Sequence, residues 1–432
     1  MWSIWVPLLA GGISLVAAVV GALNSVRSAV TLAPAEAMRP PAPVKYRRMI
    51  IERLGWVHLL SPQARMVIRT MERRPFRASL TTFGIASAVA IILSGTFWSD
   101  ALDYLIAVQF NLTEREDASI VFTEPLAGSV RYEIQHLPGV LYTEGSRNVP
   151  VRLRAGHHSY RTAIVGLPQD AELRRLLDAD LQTVPLQPDG LLLTDRLATR
   201  LGIKVGDRLQ FELLEGPRTK RDILFSGLVN DLIGISGYME IGSLNRLMKE
   251  GDSISSVAVM VDGSRVGEFY TRIKEMPKVA TVVMKKASLK TFEKESARNI
   301  LFFTTIVTIF ASVIAVGVVY NSARIALAER AWELASLRVL GFTRREVSTF
   351  LLGELAIELV VAIPLGLWLG YLLVLGMVST ADSEMFSIPV VIALRTYAYA
   401  VVAILIAGIV SALIVRHRID RLNLAAAMKT GE

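Results

Sequence analysis

Glu354 and Glu358 stand one helical turn apart at the head of an otherwise uncharged stretch, which makes them the first candidates for chemistry. Carboxylates at membrane depth are expensive and often serve proton relays or ion paths. Close to an interface the same pair can be hydrated or can pair with Arg344 or Arg345; such pairing is favoured here over proton coupling. Gly353, Gly366 and Gly370 offer small surfaces on which helices can approach closely, and Pro364 is expected to kink the same helix. His157 and His158 are adjacent, but no Asp/Glu/His set at ligand spacing accompanies them, so they read as exposed turn residues. Asp207, in Leu201-Gly202-Ile203-Lys204-Val205-Gly206-Asp207, reads as structural: Gly202 ends a helix and Gly206-Asp207 starts a tight turn. The chain has no Gly-x-Ser-x-Gly elbow, no His-Glu-x-x-His pair and no cysteine. Disulfides, thiolate metal sites and thiol nucleophiles are thereby excluded. It also lacks a Gly-x-x-x-x-Gly-Lys-Ser/Thr phosphate loop, so any ATP-driven work must draw on a separate subunit.

The elements that must hold these residues are mostly apolar. Hydrophobic residues make up 52% of the 432 positions, and they cluster. Uncharged runs of about 20 residues or more, long enough to cross a hydrocarbon core, are Met1–Val26, Ala78–Ser99, Asn299–Ala323, Leu359–Ala381 and Thr396–Val415. The net charge of +8 sits beside these runs. It is not interleaved with aromatics on one folded face, so nucleic acid is not an expected partner. Arg27 to Arg77 carries eleven Lys/Arg against three acids, and Arg416, Arg418, Arg421 and Lys429 follow the last run. Short basic segments stay cytoplasmic, which places the stretch from about Asp100 to Arg298 outside. The first run has neither a basic leading region nor a small-residue cleavage pattern and reads as a retained span.

The expected fold class is therefore a polytopic α-helical membrane protein of five spans, with a large α+β extracytoplasmic domain between spans two and three. In that domain, strand-like runs fall at Ser119–Thr123, Val149–Arg154, Ser159–Leu167, Gly190–Thr194, Arg208–Leu214, Ile223–Val229, Ser256–Val261 and Val279–Met284. Helical patterns fall at Val130–His136, Asp170–Leu177, Asp195–Leu201, Ile241–Lys249 and Val266–Lys274. Gly156-His157-His158 and Glu215-Gly216-Pro217 look like hairpin turns.

Between spans three and four lies a charged insert, Asn321–Glu346. Its Ile325, Trp332, Leu334, Leu337 and Leu340 recur at helical intervals, as in an amphipathic helix on one membrane face. The run Ala328-Glu329-Arg330-Ala331-Trp332-Glu333-Leu334-Ala335-Ser336-Leu337-Arg338-Val339-Leu340-Gly341-Phe342-Thr343-Arg344-Arg345-Glu346, with Glu354, Gly366 and Gly370 in the next span, resembles the FtsX-like permease domain of ABC systems. That group includes the MacB and lipoprotein-releasing (LolC/LolE) permeases. Ala64 to Arg77 likewise resembles the family's amphipathic helix lying along the inner surface ahead of a span.

The resemblance implies an ABC ATPase subunit docking on this coupling helix. Trp332, Leu334, Leu337, Val339 and Leu340 would form the packed ridge, Glu329, Arg330, Glu333 and Arg338 the polar contacts, and Gly341 the helix stop. It implies no enzyme activity and no cofactor on this chain, with ATP held by the partner. It also implies a bacterial inner-membrane location, a second permease copy or module, a periplasmic adaptor protein, and mechanotransmission of ATPase movement to the outer domain. A non-transporting regulator whose outer domain activates a cell-wall hydrolase is the alternative.

An internal repeat extends the resemblance. Ala22-Leu23, Leu32, Ala35 and Ala37-Met38-Arg39 align without a gap on Ala412-Leu413, Leu422, Ala425 and Ala427-Met428-Lys429. Any exiting helix can end in basic residues; the sharper reading is that the chain looks like the C-terminal half of a two-module, ten-span member. The expected domains are 1–40, the end of a preceding module; 41–78, a basic linker and amphipathic helix; 79–104, the second span; 105–297, the α+β domain; and 298–432, the permease core.

Overall fold

The computed structural model describes residues 8, 11–16, 18–19, 22–23, 72, 75–215, 220–329, 341, 343–381 and 388–420. The chain divides into two units, Met1–Pro62 and Gln63–Glu432. In the first, the described residues are helical and exposed; most of the expected span Met1–Val26 lies outside the described residues.

The second unit begins with helix α1, Pro75–Ile106, which continues as a π-helical segment, Ala107–Thr113. Among the described residues, nine strands and four short helices follow. In chain order they are β1 (Ala118–Ala127), α2 (Val130–Gln135), β2 (Val140–Ala155), β3 (His158–Leu167), β4 (Gly190–Thr194), α3 (Asp195–Leu201), β5 (Arg208–Leu213), β6 (Lys220–Val229), β7 (Gly237–Glu240), α4 (Ile241–Met248), β8 (Ser253–Val261), α5 (Val266–Lys274) and β9 (Val279–Met284). Three long helices follow: α6 (Lys285–Glu329), α7 (Arg344–Ala381) and α8 (Leu394–Asp420).

The α+β region consists of two lobes. Strands β2, β8, β1 and β9 lie side by side in that order, all antiparallel to their neighbours. With α2 joining β1 to β2 and α5 joining β8 to β9, this is the split βαβ pattern. Its core gathers Ile120, Ile134, Val257, Val259, Phe269 and Ile273. The second lobe is inserted between β2 and β8. There β2, β3, β7, β4, β6 and β5 pair in a closed ring, because β2 bonds to both β3 and β5. A closed barrel leaves no edge strand exposed. Its interior is apolar, with Val149, Val151, Leu153, Leu193, Phe211 and Phe225 all buried.

Strand β2 belongs to both lobes. Val140 to Ser146 face β8, and Arg147 to Ala155 face β3. At the changeover Arg147 is 1% exposed, and its guanidinium bonds both carboxylate oxygens of Glu250 at 3.1 Å and Glu215 at 3.1 Å. A bidentate clamp of this kind is geometrically specific and pins the joint between the lobes.

Several sequence expectations hold locally. Strand, helix and strand occupy 253–284, and Gly202 ends α3 in the left-handed region at φ +66°. The Asp207 carboxylate accepts from the Lys204 N–H at 2.8 Å, so it serves the turn as expected. Gly156 makes the β2–β3 hairpin with φ +57°, and His157 and His158 are exposed there. Residues 216–219 of the other expected hairpin lie outside the described residues.

One expectation fails. Asp170–Leu177 is not a helix; the chain there is irregular, with isolated bridges at Arg174 and Leu177. Its backbone donors are claimed by distant partners. The Glu144 carboxylate takes the N–H groups of Glu172 (2.7 Å) and Leu173 (3.0 Å), and the Thr113 carbonyl takes that of Arg175 (3.0 Å).

Candidate functional site

Among the described residues, four helices are long and apolar enough to cross a membrane: Pro75–Thr113, Arg298–Ile325, Leu352–Thr380 and Leu394–Ile414. They are not equivalent. Two-thirds (67%) of the apolar stretch of α1 is buried inside the protein, against 17%, 22% and 22% for the other three. The first span of the bundle is thus its axle, and the other three present most of their surface outward.

Three ties hold α1 in place, each at a different level. At the Arg77 end, the Arg77 guanidinium donates to the Ser322 carbonyl at 2.5 Å, and the hydroxyls of Thr81 and Ser322 lie 3.0 Å apart. Midway, Gly366 and Gly370 of α7 meet α1 with almost no gap. A Cβ on Gly366 would lie 2.5 Å from the Val89 Cβ, and one on Gly370 would lie 3.0 Å from the Leu93 Cβ. This is close helix approach through small residues. At the far end, Asp100 is 4% exposed and holds α8. Its carboxylate accepts from the Ala393 N–H (2.9 Å), the Thr396 hydroxyl and the Arg395 guanidinium (3.0 and 3.1 Å). The Arg395 guanidinium reaches on to Asp103. An aspartate on one helix thereby caps the N-terminus of another, where the backbone donors and the helix dipole favour negative charge.

The remaining expected site residues fall as follows. Glu358 is 2% exposed, and its Oε2 has no hydrogen-bond partner among the described residues. Among the described residues, Glu354 and Arg77 are charges that bear on it; the side chains of Arg344 and Arg345 lie outside the described residues. Gly353 and Glu354 are half-buried, and Pro364 sits inside an unbroken α7. Helix α6 is described to Glu329. Arg330, Trp332, Glu333, Leu334, Leu337, Arg338 and Leu340 lie outside the described residues. Gly341 adopts φ +98°, a left-handed conformation that suits a helix stop.

Where α1 meets the α+β region, charge gathers. Arg174 lies 3.5 Å from Glu114 and 3.4 Å from Glu116, and the Lys285 ammonium donates to the Glu114 carbonyl at 2.9 Å. Burial pushes the Glu116 carboxyl above its ordinary range, with Arg174 pulling the other way. Asp231, which accepts from the Tyr238 hydroxyl, is likewise raised by burial. For Arg174, burial opposes the charge, but Glu116 and Glu114 outweigh it and raise its pKa. A small cavity of about 10 Å³, room for one water, adjoins Glu116, Ser146 and Arg174. None of these residues was singled out in the sequence. The available signal was positional: Asp100 is the first charge after one uncharged run, and Arg395 the last before another.

Among the described residues, no three His, Cys, Asp or Glu side chains converge to hold a metal ion. The arrangement can anchor helices and transmit displacement between them.

A bundle of four membrane-length helices joined to an α+β region is the architecture of a multi-pass membrane protein. Residues 305–424, which cover just over half of α6 and all of α7 and α8, match the family model described as FtsX-like permease C-terminal. Among solved structures, the extracellular domain of the noncanonic ABC-type transporter YknZ from Gram-positive bacteria is similar at 10% identity and a TM-score of 0.28, over 36% of this chain and 88% of that one. The periplasmic region of MacB from Actinobacillus actinomycetemcomitans is similar at 12% identity and a TM-score of 0.32, over 42% of this chain and 95% of that one. No curated protein matches the sequence.

Proposed function

We propose that this chain is the permease subunit of an ABC-type export or mechanotransmission complex, worked by a separate ATPase that docks on the helix-patterned segment from Glu329 to Gly341. The observation that carries this reading is the FtsX-like match over 305–424, which takes in that segment and the spans on both sides of it. The apolar ridge of Trp332, Leu334, Leu337 and Leu340 supplies a surface for a partner, and Glu329, Arg330, Glu333 and Arg338 flank it. The basic excess of 27–77 and of the tail supports placing that surface in the cytoplasm of a bacterium, with the α+β lobes beyond the inner membrane. The outward surface of α6, including Phe302 at 69% and Phe310 at 65% exposure, suits lipid or a second permease copy. A periplasmic adaptor is the partner that an exporter of this type would need.

Leu337→Asp tests the reading. It places a charge in the ridge while leaving the spans intact. The expected result is loss of co-purification with the ATPase and normal membrane insertion. Undiminished co-purification would overturn it.

A further inference from the structure

The barrel has no covalent link of its own to the membrane helices, since it is inserted between β2 and β8 of the other lobe. It nevertheless sits directly on the far end of α1. Residues Thr113–Arg115 and Leu173–Arg175 form a short antiparallel bridge, with the Arg115 N–H donating to the Leu173 carbonyl (2.7 Å) and the Arg175 N–H to the Thr113 carbonyl (3.0 Å). Beside the bridge, Leu105 of α1 and Val108 of its π-helical extension bury themselves against Leu177 and Leu232, with Leu181 and Ile233 packed around them. Arg174 adds its ion pairs to Glu114 and Glu116. Apolar burial, paired backbone and buried charge thus converge at one joint.

That joint lies in line with the ties within the bundle. Helix α1 is held to α6 at Thr81–Ser322, to α7 at Gly366 and Gly370, and to α8 at Asp100–Arg395. A helix held on three sides at three levels cannot slide against its neighbours without breaking close contacts. Packed elements of this kind move as bodies or switch between discrete states.

We infer that the segment 168–183 is a seat through which α1 drives the barrel: bundle and barrel tilt as one body, and Arg174 is the positioning residue of the joint. This rests on the mechanotransmission reading proposed above. It adds where the movement crosses into the α+β region and that the crossing does not open during the stroke.

The native chain has no cysteine, so engineered thiols report cleanly. Glu114 and Arg174 face each other as a non-hydrogen-bonded antiparallel pair, for which Cα atoms lie about 4.5 Å apart, within the disulfide range of roughly 4.4–6.8 Å. In the full-length chain without ATPase, Glu114→Cys with Arg174→Cys should cross-link on mild oxidation; failure to cross-link would mean that the seat does not exist. With the ATPase bound, the cross-linked protein should still show ATP-driven movement. A cross-link that stops the movement would show that the seat opens, and would overturn the inference.

Spin labels at Ser79→Cys on α1 and Ser159→Cys on the barrel supply the second measurement, with one labelled copy per complex. Their separation should be the same with and without trapped ATP, while a label at Ser79→Cys in each of two copies should report a change. Leu177→Asp should broaden the Ser79–Ser159 distance. An ATP-dependent shift of that distance in the chain bearing only the labels would overturn the inference. If ATP moves neither pair, the drive itself is wrong and the inference falls with it, a result distinct from a missing cross-link.

Discussion

Gly366 of α7 rests on Ala86 of α1 so closely that a Cβ added to the glycine would sit 2.6 Å from the Ala86 carbonyl oxygen. Neither that backbone atom nor the nearby Val89 Cβ has a flexible end that can swing away. The contact sets how near the two helices come.

Gly366→Ala should therefore push α7 off α1 and destabilise the bundle by about 1–3 kcal/mol, offset by up to about 1 kcal/mol of helix propensity. Gly376→Ala on the same helix is the control, because nothing lies within 4 Å of its added methyl. Thermal unfolding of the detergent-solubilised chain reads both. Equal melting temperatures for the two variants would contradict the packing argument.

Asp100→Asn should loosen the cap on α8. The buried carboxylate loses its charge opposite Arg395 while the Ala393 and Thr396 donors remain. The expected cost is about 1–3 kcal/mol, toward the low end because the Arg395 side chain is 64% exposed. Asp103→Asn removes only an exposed ion pair and should cost about 0–1 kcal/mol. Melting of the two variants side by side checks the order, and a larger loss from Asp103→Asn would refute it.

The charges beneath the barrel make a pH prediction. Burial holds the Glu116 carboxyl above its ordinary 4.5, so the folded state takes up its proton more readily than the unfolded chain. The stabilisation this group contributes is complete below 4.5 and is lost as pH rises through its folded value. Glu116→Gln cannot titrate. Its melting temperature relative to the unaltered chain should climb as pH is raised from the ordinary carboxylate range toward neutral. A difference independent of pH would remove the premise.

Topology can be read with single thiols. Ser159→Cys, at an exposed position near the start of β3, should react with a membrane-impermeant reagent added to intact cells. Ala331→Cys should react only after the membrane is opened. The reverse pattern would overturn both the placement of the α+β lobes and the docking reading.

Local chemistry was legible without any structure. Membrane-length helices follow from uncharged runs, because backbone in hydrocarbon must bond within itself. The turns at Gly156, Gly202 and Asp207 follow from residue types that tolerate or stabilise reversals, and the strand–helix–strand at 253–284 from its periodicity. The failure at Asp170–Leu177 shows where that reasoning stops. Its apolar spacing is helical, yet Glu144 and Thr113, far away in the chain, take the backbone donors that a helix would have used.

The amino-acid sequence by itself determined which segments are apolar enough to span, where the chain turns, and which residues resemble a coupling helix. Only the tertiary structure decided that α1 is the axle, that β2 closes a barrel while serving a second sheet, that Asp100 caps α8, and that the barrel rests on α1 through Arg174. The reason is separation: Asp100 meets its partners across 293 to 296 positions, and no local pattern records which distant donor a buried carboxylate will find.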